Sequence, residues 1–316
     1  MKPYRHHLRS AEDLITLPQD TRAGFVALAL ERNRRAMPYI AEGRALRVEA
    51  SKVSEALLLK QVEQIQAALL TAAGVSDKAA GYFEETDKAE AIDNLIAEFL
   101  EPAGVAFVEE VVYRFLLTRG DALGGSMRNV GGVLAQRKLA RYLMAALRNA
   151  GIPYRWLHAR NNSWTDMTAN DAGIEQFLKG LSWRAKNRDR TLVFNLKVPL
   201  VRTNIDLLLL NVASEDYGRT VIHQPECFVA LGELKGGIDP AGADEHWKTA
   251  TKALDRIRRA FKKEKRHPPL CYIGAAIARN MANEIWEDLG AGELANAANL
   301  TREDQLASLC GWLCEL

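Results

Sequence analysis

Residues 232–250 read GELKGGIDPAGADEHWKTA, and this segment carries most of the information about the fold. Together with the apolar residues before it, its start predicts a β-strand from Cys227 to Lys235. Side chains alternate between the two faces of a strand, so Glu233 and Lys235 point to the same face. Three glycines and a proline then predict a tight loop, and a helix follows with Asp244 expected as its N-cap. The segment therefore predicts a strand, a loop and a helix, with an acidic and a basic side chain on one strand face.

The elements around this segment are typical of an α/β protein. Segments rich in apolar residues predict further strands at Pro153 to His158, Thr191 to Val201, Asn204 to Val212 and Leu270 to Ala276. The helix after the loop has one apolar face, formed by Trp247, Thr251, Leu254, Ile257 and Phe261. A helix placed between strands indicates a mixed sheet, so we expect an α/β domain over residues 151–316.

The first half of the chain has a different pattern. Apolar residues recur there at helical spacing, for example at Leu58, Val62, Ile65 and Leu69. Strand-like alternation is absent from the sequence before residue 150, and no low-complexity linker marks a boundary. We therefore expect a mainly helical domain over residues 1–150, in front of the α/β domain.

The composition is that of a soluble globular protein, with 48% hydrophobic and 26% charged residues. The apolar runs are too short to span a membrane, and no apolar segment follows the basic N-terminus, so we expect a cytoplasmic protein without a signal peptide. A net charge of +2 does not by itself indicate nucleic-acid binding. The four cysteines form no CxxC pair. Cys310 and Cys314 have a spacing that suits metal binding on a helix, but packing in the core is the simpler interpretation.

A second acidic residue lies in a predicted strand close by. Asp206 sits within the apolar segment NIDLLLL at residues 204–210. A charge in such a strand is costly unless another group pairs with it. On neighbouring strands, Asp206, Glu233 and Lys235 would bring two carboxylates and an ammonium group together, which suits a hard cation such as Mg²⁺ and phosphodiester hydrolysis. The alternative is a solvated Glu–Lys pair on a surface strand.

Residues 232–250, with Asp206 ahead of them, resemble the catalytic signature of the AvaI/BsoBI family of type II restriction endonucleases. The resemblance is strongest over residues 200–260. It implies a PD-(D/E)xK-type nuclease core in which Asp206 is the first acid, although Ile205 replaces the proline of the motif. Glu233 is then the second acid and Lys235 the lysine. The resemblance also implies a Mg²⁺ ion held by Asp206, Glu233 and the backbone carbonyl of Leu234.

His246 follows Lys235 by eleven residues and lies in the first turn of the predicted helix, off its apolar face. Helix N-termini favour phosphate, and a neutral imidazole can take a proton from water near pH 7. From the residues alone, a capping or packing histidine is an alternative. The family resemblance favours a catalytic role for His246.

Basic side chains form two clusters on predicted helices, and each is either a phosphate-binding surface or a solvated helix face. The first cluster includes Arg137 and Arg141, and the second includes Lys248, Arg256 and Arg259. The candidates for base recognition are Asp239 and, in the helical half, Lys78. The Asp239 carboxylate can accept a hydrogen bond from cytosine N4, but an aspartate before Pro240 also suits a turn.

The resemblance implies Mg²⁺-dependent cleavage of double-stranded DNA at the degenerate palindrome C-Py-C-G-Pu-G, leaving 5′ overhangs. A two-fold symmetric site favours a homodimer with one active site per strand, and we expect the helical domains to help enclose the duplex. Two other hypotheses are a repair or junction nuclease that selects DNA structure, and a non-catalytic DNA-binding protein. The intact set of Asp206, Glu233 and Lys235 argues against the non-catalytic protein.

Overall fold

The computed structural model of the chain describes residues 2–127 and 129–316. The chain forms two compact units, which we call the helical unit (Val26–Val130) and the sheet unit (Met1–Phe25 with Gly131–Leu316). This division differs from the expected boundary at residue 150. The N-terminal residues belong to the sheet unit because Tyr4, Leu8 and Leu14 are buried in its hydrophobic core.

The helical unit is built from α-helices joined by 3₁₀ turns and by a π-helical segment, Ile96–Leu100. Its helices are α1 (Pro18–Ala50), which begins in the sheet unit, α2 (Gln66–Ala72), α3 (Asp77–Ala80), α4 (Glu85–Leu95) and α5 (Phe107–Met127). Leu69 and Phe115 are among its fully buried side chains. The spacing from Leu58 to Leu69 predicts one continuous helix, but the structure has 3₁₀ turns followed by α2, because the extended backbone of Val62 interrupts the helix.

The sheet unit contains an eight-stranded sheet. Its strands are β1 (Tyr154–His158), β2 (Trp164–Asp166), β3 (Leu178–Ala185), β4 (Arg188–Val198), β5 (Thr203–Leu210), β6 (Phe228–Lys235), β7 (Leu270–Gly274) and β8 (Asn296–Asn299). They lie in the order β2-β1-β3-β4-β5-β6-β7-β8. The pairs β6–β7 and β7–β8 are parallel and the other neighbours are antiparallel, which confirms the predicted mixed sheet.

Helices cover this sheet, and one of them determines the geometry of the site. They are α6 (Val130–Asn149), α7 (Ala243–Lys263), α8 (Arg279–Ala291) and α9 (Glu303–Glu315). Helix α7 connects β6 to the parallel strand β7 and buries the predicted apolar residues Trp247, Leu254, Ile257 and Phe261 against the sheet. A short loop and the 3₁₀ turn Pro240–Gly242 separate the end of β6 from the first turn of α7.

Within the described residues, no helix combines the length and the apolarity that crossing a membrane requires. Cys310 and Cys314 are buried free thiols on α9, and the part of the chain that the structure describes holds no group of three or more His, Cys, Asp or Glu side chains arranged around a metal site. The burial of both thiols agrees with the packing role considered from the sequence.

Candidate active site

Two neighbouring antiparallel strands bring the predicted acids together. Leu207 of β5 pairs with Gly232 of β6 in the antiparallel register, so the next position along the pair places Asp206 opposite Glu233. Paired residues of adjacent strands share a face, and Lys235 shares that face because it lies two residues after Glu233. A Cβ at Gly232 would lie 2.5 Å from Sγ of Cys271, so the close approach of β6 and β7 requires glycine there.

The lysine ammonium group bridges the two carboxylates. Nζ of Lys235 donates a hydrogen bond of 2.7 Å to Oε2 of Glu233 and one of 3.2 Å to Oδ2 of Asp206. The backbone N–H of Leu234 donates a further hydrogen bond of 2.9 Å to Oδ2 of Asp206. Glu233 is 3% exposed, whereas the side chains of Asp206 and Lys235 remain partly accessible.

The charges at this site are strongly coupled. Burial, and secondly the negative charge of Asp206, raise the pKa of Glu233 to about 7. Burial alone would lower the pKa of Lys235, but Glu233 and Asp206 outweigh it and raise that pKa. Lys235 therefore stays protonated at neutral pH, and the single ammonium group leaves the charge of the two carboxylates incompletely balanced.

This imbalance provides a test of whether a divalent cation fits. Two carboxylates that converge on one side of a strand pair offer hard oxygen ligands, and an added cation would relieve the repulsion that raises the pKa of Glu233. Carboxylate oxygens, backbone carbonyls and water are the ligands that Mg²⁺ prefers. The donor set therefore fits a hard divalent cation.

His246 lies in the first turn of α7 and is solvent-exposed. Its imidazole packs against the glycine-rich loop after β6, since a Cβ at Gly237 would lie 2.5 Å from Nε2 of His246. The predicted N-cap was wrong. Gly242 occupies the N-cap and Asp244 lies in the first turn, where it pairs with Lys248 at 2.7 Å, because the turn from Pro240 to Gly242 starts the helix two residues earlier.

Sequence reasoning missed the residues that support this loop. A Cβ at Gly131, near the start of α6, would lie 2.9 Å from the carbonyl oxygen of Gly236. A Cβ at Gly24, in α1, would overlap the side chain of Ile238. Both contacts join segments far apart in the chain, so local sequence patterns give no signal for them. The loop between β6 and α7 is therefore held on two sides by glycines.

Comparison with known proteins agrees with this geometry. A family model described as restriction endonuclease BsobI matches residues 4–316. The chain belongs to the BsoBI restriction endonuclease family. It is 53% identical over 314 residues to the type II restriction enzyme AvaI of Nostoc sp. (strain PCC 7120 / SAG 25.82 / UTEX 2576), covering 99% of this chain and 100% of that protein. It is 50% identical over 319 residues to the type II restriction enzyme BsoBI of Geobacillus stearothermophilus, covering 100% of this chain and 99% of that protein.

Membership of the BsoBI family makes the chain a type II restriction enzyme, a site-specific endonuclease that acts on DNA. The family resemblance read from residues 200–260 is thereby confirmed and extends over the whole chain. The mixed sheet and the helical N-terminal region agree with the predicted α/β nuclease fold.

Several residues predicted to bind DNA lie on the sheet unit of this BsoBI-family enzyme. Arg256 and Arg259 of α7 line a cleft of about 670 Å³, together with Lys252, Lys263 and Arg202. The acidic side chain of Asp255 also lines it. The cleft is therefore mainly basic. Arg202 lies in the turn between β4 and β5, and nothing in the sequence pattern links it to α7.

The other predicted DNA-binding residues have varied surroundings. Arg141 forms ion pairs with Asp171, at 2.9 Å, and with Glu175, so its charge is already balanced. Arg137 of α6 is half-buried. The exposed Asp239 accepts a hydrogen bond of 2.9 Å from the backbone N–H of Ala241, which is the turn-forming role considered from the sequence. Lys78 is exposed on α3 of the helical unit.

Proposed function

We propose that this enzyme uses Mg²⁺ to cleave double-stranded DNA at the palindrome C-Py-C-G-Pu-G, leaving 5′ overhangs. The cluster of Asp206, Glu233 and Lys235 carries the proposal, because two carboxylates and an ammonium group meet there at hydrogen-bond distance. The recognition sequence rests on the family resemblance. We also propose that the enzyme acts in the cytoplasm.

The acids and the lysine of the cluster have different roles. Asp206 and Glu233, with the backbone carbonyl of Leu234, would hold the Mg²⁺ ion. A bound divalent ion supplies positive charge to a phosphate and makes water a better nucleophile. The backbone N–H of Leu234 orients Asp206 through its hydrogen bond. Lys235, whose pKa is raised by the carboxylates although burial opposes this, presents a permanent positive charge to the phosphate that is attacked.

His246 is proposed as the general base. Within the described residues, neither ring nitrogen of His246 has a hydrogen-bond partner, so the imidazole can accept a proton from the attacking water. His246 lies in the first turn of α7, and helix N-termini in general favour a phosphate nearby. The contact with Gly237 holds the imidazole against the loop that follows the catalytic strand.

The basic cleft on α7 supports phosphate binding by Arg256 and Arg259. Lys248 and Arg141 have acidic partners, so a DNA phosphate would share or replace those ion pairs. Arg137 is a further proposed phosphate contact. Asp239 and Lys78 are proposed to read base edges, since positioning by phosphate contacts alone gives no sequence selectivity.

We propose a homodimer in which the helical units help enclose the duplex. A palindromic site is matched by two-fold symmetry, with one active site for each strand. The exposed face of α1 supports the dimer, because it carries large apolar side chains that a monomer leaves in water. These are Phe25, Val26, Leu30, Met37, Ile40 and Val48.

Digestion of plasmid DNA with Mg²⁺, followed by sequencing of the ends, tests the proposal. The expected result is discrete fragments that all end within C-Py-C-G-Pu-G and carry 5′ overhangs. Asp206→Ala and Glu233→Ala should each abolish cleavage but keep site-specific DNA binding. Asp216→Ala, which removes an exposed carboxylate from a loop, should cleave normally. Ends that map to branched or damaged DNA would favour the structure-selective nuclease instead.

A further inference from the structure

A buried tyrosine lies beside the catalytic strand on β7. The parallel pairing of β6 and β7 places Tyr272 opposite Glu233, and Gly274 opposite Lys235. Paired residues on neighbouring strands extend to the same face of the sheet, so the Tyr272 side chain lies on the face that carries Glu233 and Lys235. Tyr272 has no exposed surface.

The hydroxyl group of Tyr272 extends along the sheet toward the level of Lys235. A Cβ at Gly274 would lie 2.7 Å from Oη of Tyr272, so the hydroxyl occupies the space that a side chain at Gly274 would fill. On the other side, the ring of Trp247 packs edge-on against the Tyr272 ring, with a centroid distance of 4.9 Å. The phenol is therefore enclosed between α7 and the strand that carries the site.

This hydroxyl has no hydrogen-bond partner among the described residues, although it is fully buried. Buried hydroxyl groups nearly always have a partner, and an unpaired one is costly. The neighbouring Glu233 carboxylate can accept a further hydrogen bond. The hydrogen bond from Lys235 goes to Oε2, and Oε1 receives no side-chain donor from the described part of the chain. Burial, and secondly the negative charge of Glu233, raise the pKa of Tyr272, which agrees with the closeness of the two groups.

We infer that Tyr272 is a positioning residue of the active site, whose hydroxyl donates a hydrogen bond to the Glu233 carboxylate, directly or through one water molecule, once a divalent cation is bound. The inference rests on the proposed function, in which Glu233 holds the cation. Because no described residue of the chain pairs with the hydroxyl, its partner would come from the loaded site. Tyr272 thus lowers the stability of the empty protein and favours binding of the ion.

The variant Tyr272→Phe removes one oxygen atom and keeps the ring packed against Trp247. Without divalent ions, the melting temperature of the full chain should rise by about 2–4 °C, because an unpaired buried hydroxyl is lost. The Mg²⁺ concentration that gives half of the metal-induced thermal stabilisation, measured without DNA, should rise about tenfold. The single-turnover cleavage rate at limiting Mg²⁺ should fall by about 10–100-fold, as expected for a lost hydrogen bond to a charged group.

Tyr154→Phe is the matched control. The Tyr154 hydroxyl is also buried, but it donates a hydrogen bond of 3.1 Å to Oδ2 of Asp171. Its removal should lower the melting temperature and leave the Mg²⁺ requirement and the cleavage rate unchanged. Gly274→Ala provides a second variant, because the new methyl group displaces the Tyr272 hydroxyl; it should also raise the Mg²⁺ requirement.

The outcomes separate this inference from the proposed function. A Tyr272→Phe variant with the Mg²⁺ requirement and rate of the wild type overturns the inference, and so does a fall in its metal-free melting temperature. If Asp206→Ala and Glu233→Ala still cleave DNA, the proposed site itself is wrong. If both are inactive and Tyr272→Phe behaves as wild type, the site stands and Tyr272 only packs.

Discussion

Replacing Glu233 with glutamine should change how the stability of the metal-free protein depends on pH. The pKa of Glu233 rises from 4.5 to about 7 on folding, because of burial and then the charge of Asp206. Between these two pH values the folded state keeps a proton that the unfolded state has lost, so stability falls as the pH rises through this window. The shift corresponds to about 3 kcal/mol, lost progressively between pH 4.5 and 7 and fully lost above pH 7.

The assay is urea unfolding at pH 5 and at pH 8.5, in buffer without divalent ions. Other groups titrate in this range, so the quantity of interest is the difference between wild type and Glu233→Gln. Between pH 5 and pH 8.5, the free energy of unfolding should fall less in the variant than in the wild type, by about 3 kcal/mol. Added Mg²⁺ should then stabilise the wild type at pH 8.5 and leave the variant almost unchanged. Glu245→Gln, which alters an exposed carboxylate on α7, should follow the wild type. Parallel loss of stability in wild type and Glu233→Gln would refute the description of Glu233 as a buried acid beside Asp206.

Three further predictions concern the loop after β6, the basic cleft on α7 and the cysteines. Gly237→Ala would place a methyl group 2.5 Å from Nε2 of His246 and so displace the imidazole. Like His246→Ala, it should lower the single-turnover cleavage rate by about 10²–10⁴-fold and leave DNA binding intact. Nearly normal rates in both variants would make His246 a structural residue. The double variant with Arg256→Ala and Arg259→Ala should weaken binding to all DNA sequences equally. The slope of the logarithm of the binding constant against the logarithm of the salt concentration should fall by roughly one unit per lost contact. An unchanged slope would place the DNA elsewhere. Thiol reagents should modify Cys227 first in the native protein, because burial raises the pKa of Cys271 and Cys314 to about 12. A fast phase of thiol modification that persists in Cys227→Ser would contradict this.

The catalytic strand, its loop and α7 were predictable from sequence because their signals are local. The acids and the lysine stand out as charges in apolar strands, and the apolar face of α7 repeats at helical spacing. The start of α7 was not predictable to the residue. An aspartate is a good N-cap in general, but here the turn after Asp239 begins the helix before Asp244.

Other strands have no such signal. Strand β8 has the sequence NAAN, in which small and polar residues are buried because Asn299 donates hydrogen bonds to Leu14 and Thr16 of the N-terminal segment. Strand β3 contains the buried Ser182, whose hydroxyl donates to the carbonyl oxygen of Arg190. Asn299 and Ser182 are satisfied by partners distant in sequence or on another strand, so the local pattern around them does not indicate a strand. The same long-range packing places residues 1–25 in the sheet unit.

The glycine contacts of the catalytic loop also determine how the chain could be shortened. The chain leaves the sheet unit after Phe25 and returns at Gly131, and Gly24 and Gly131 each touch the loop formed by residues 236–238. A deletion that replaced residues 26–130 with a short linker would therefore pull directly on the backbone that carries the active site. A minimal nuclease made in this way must keep both glycines and enough free chain beyond each of them for the loop to retain its shape.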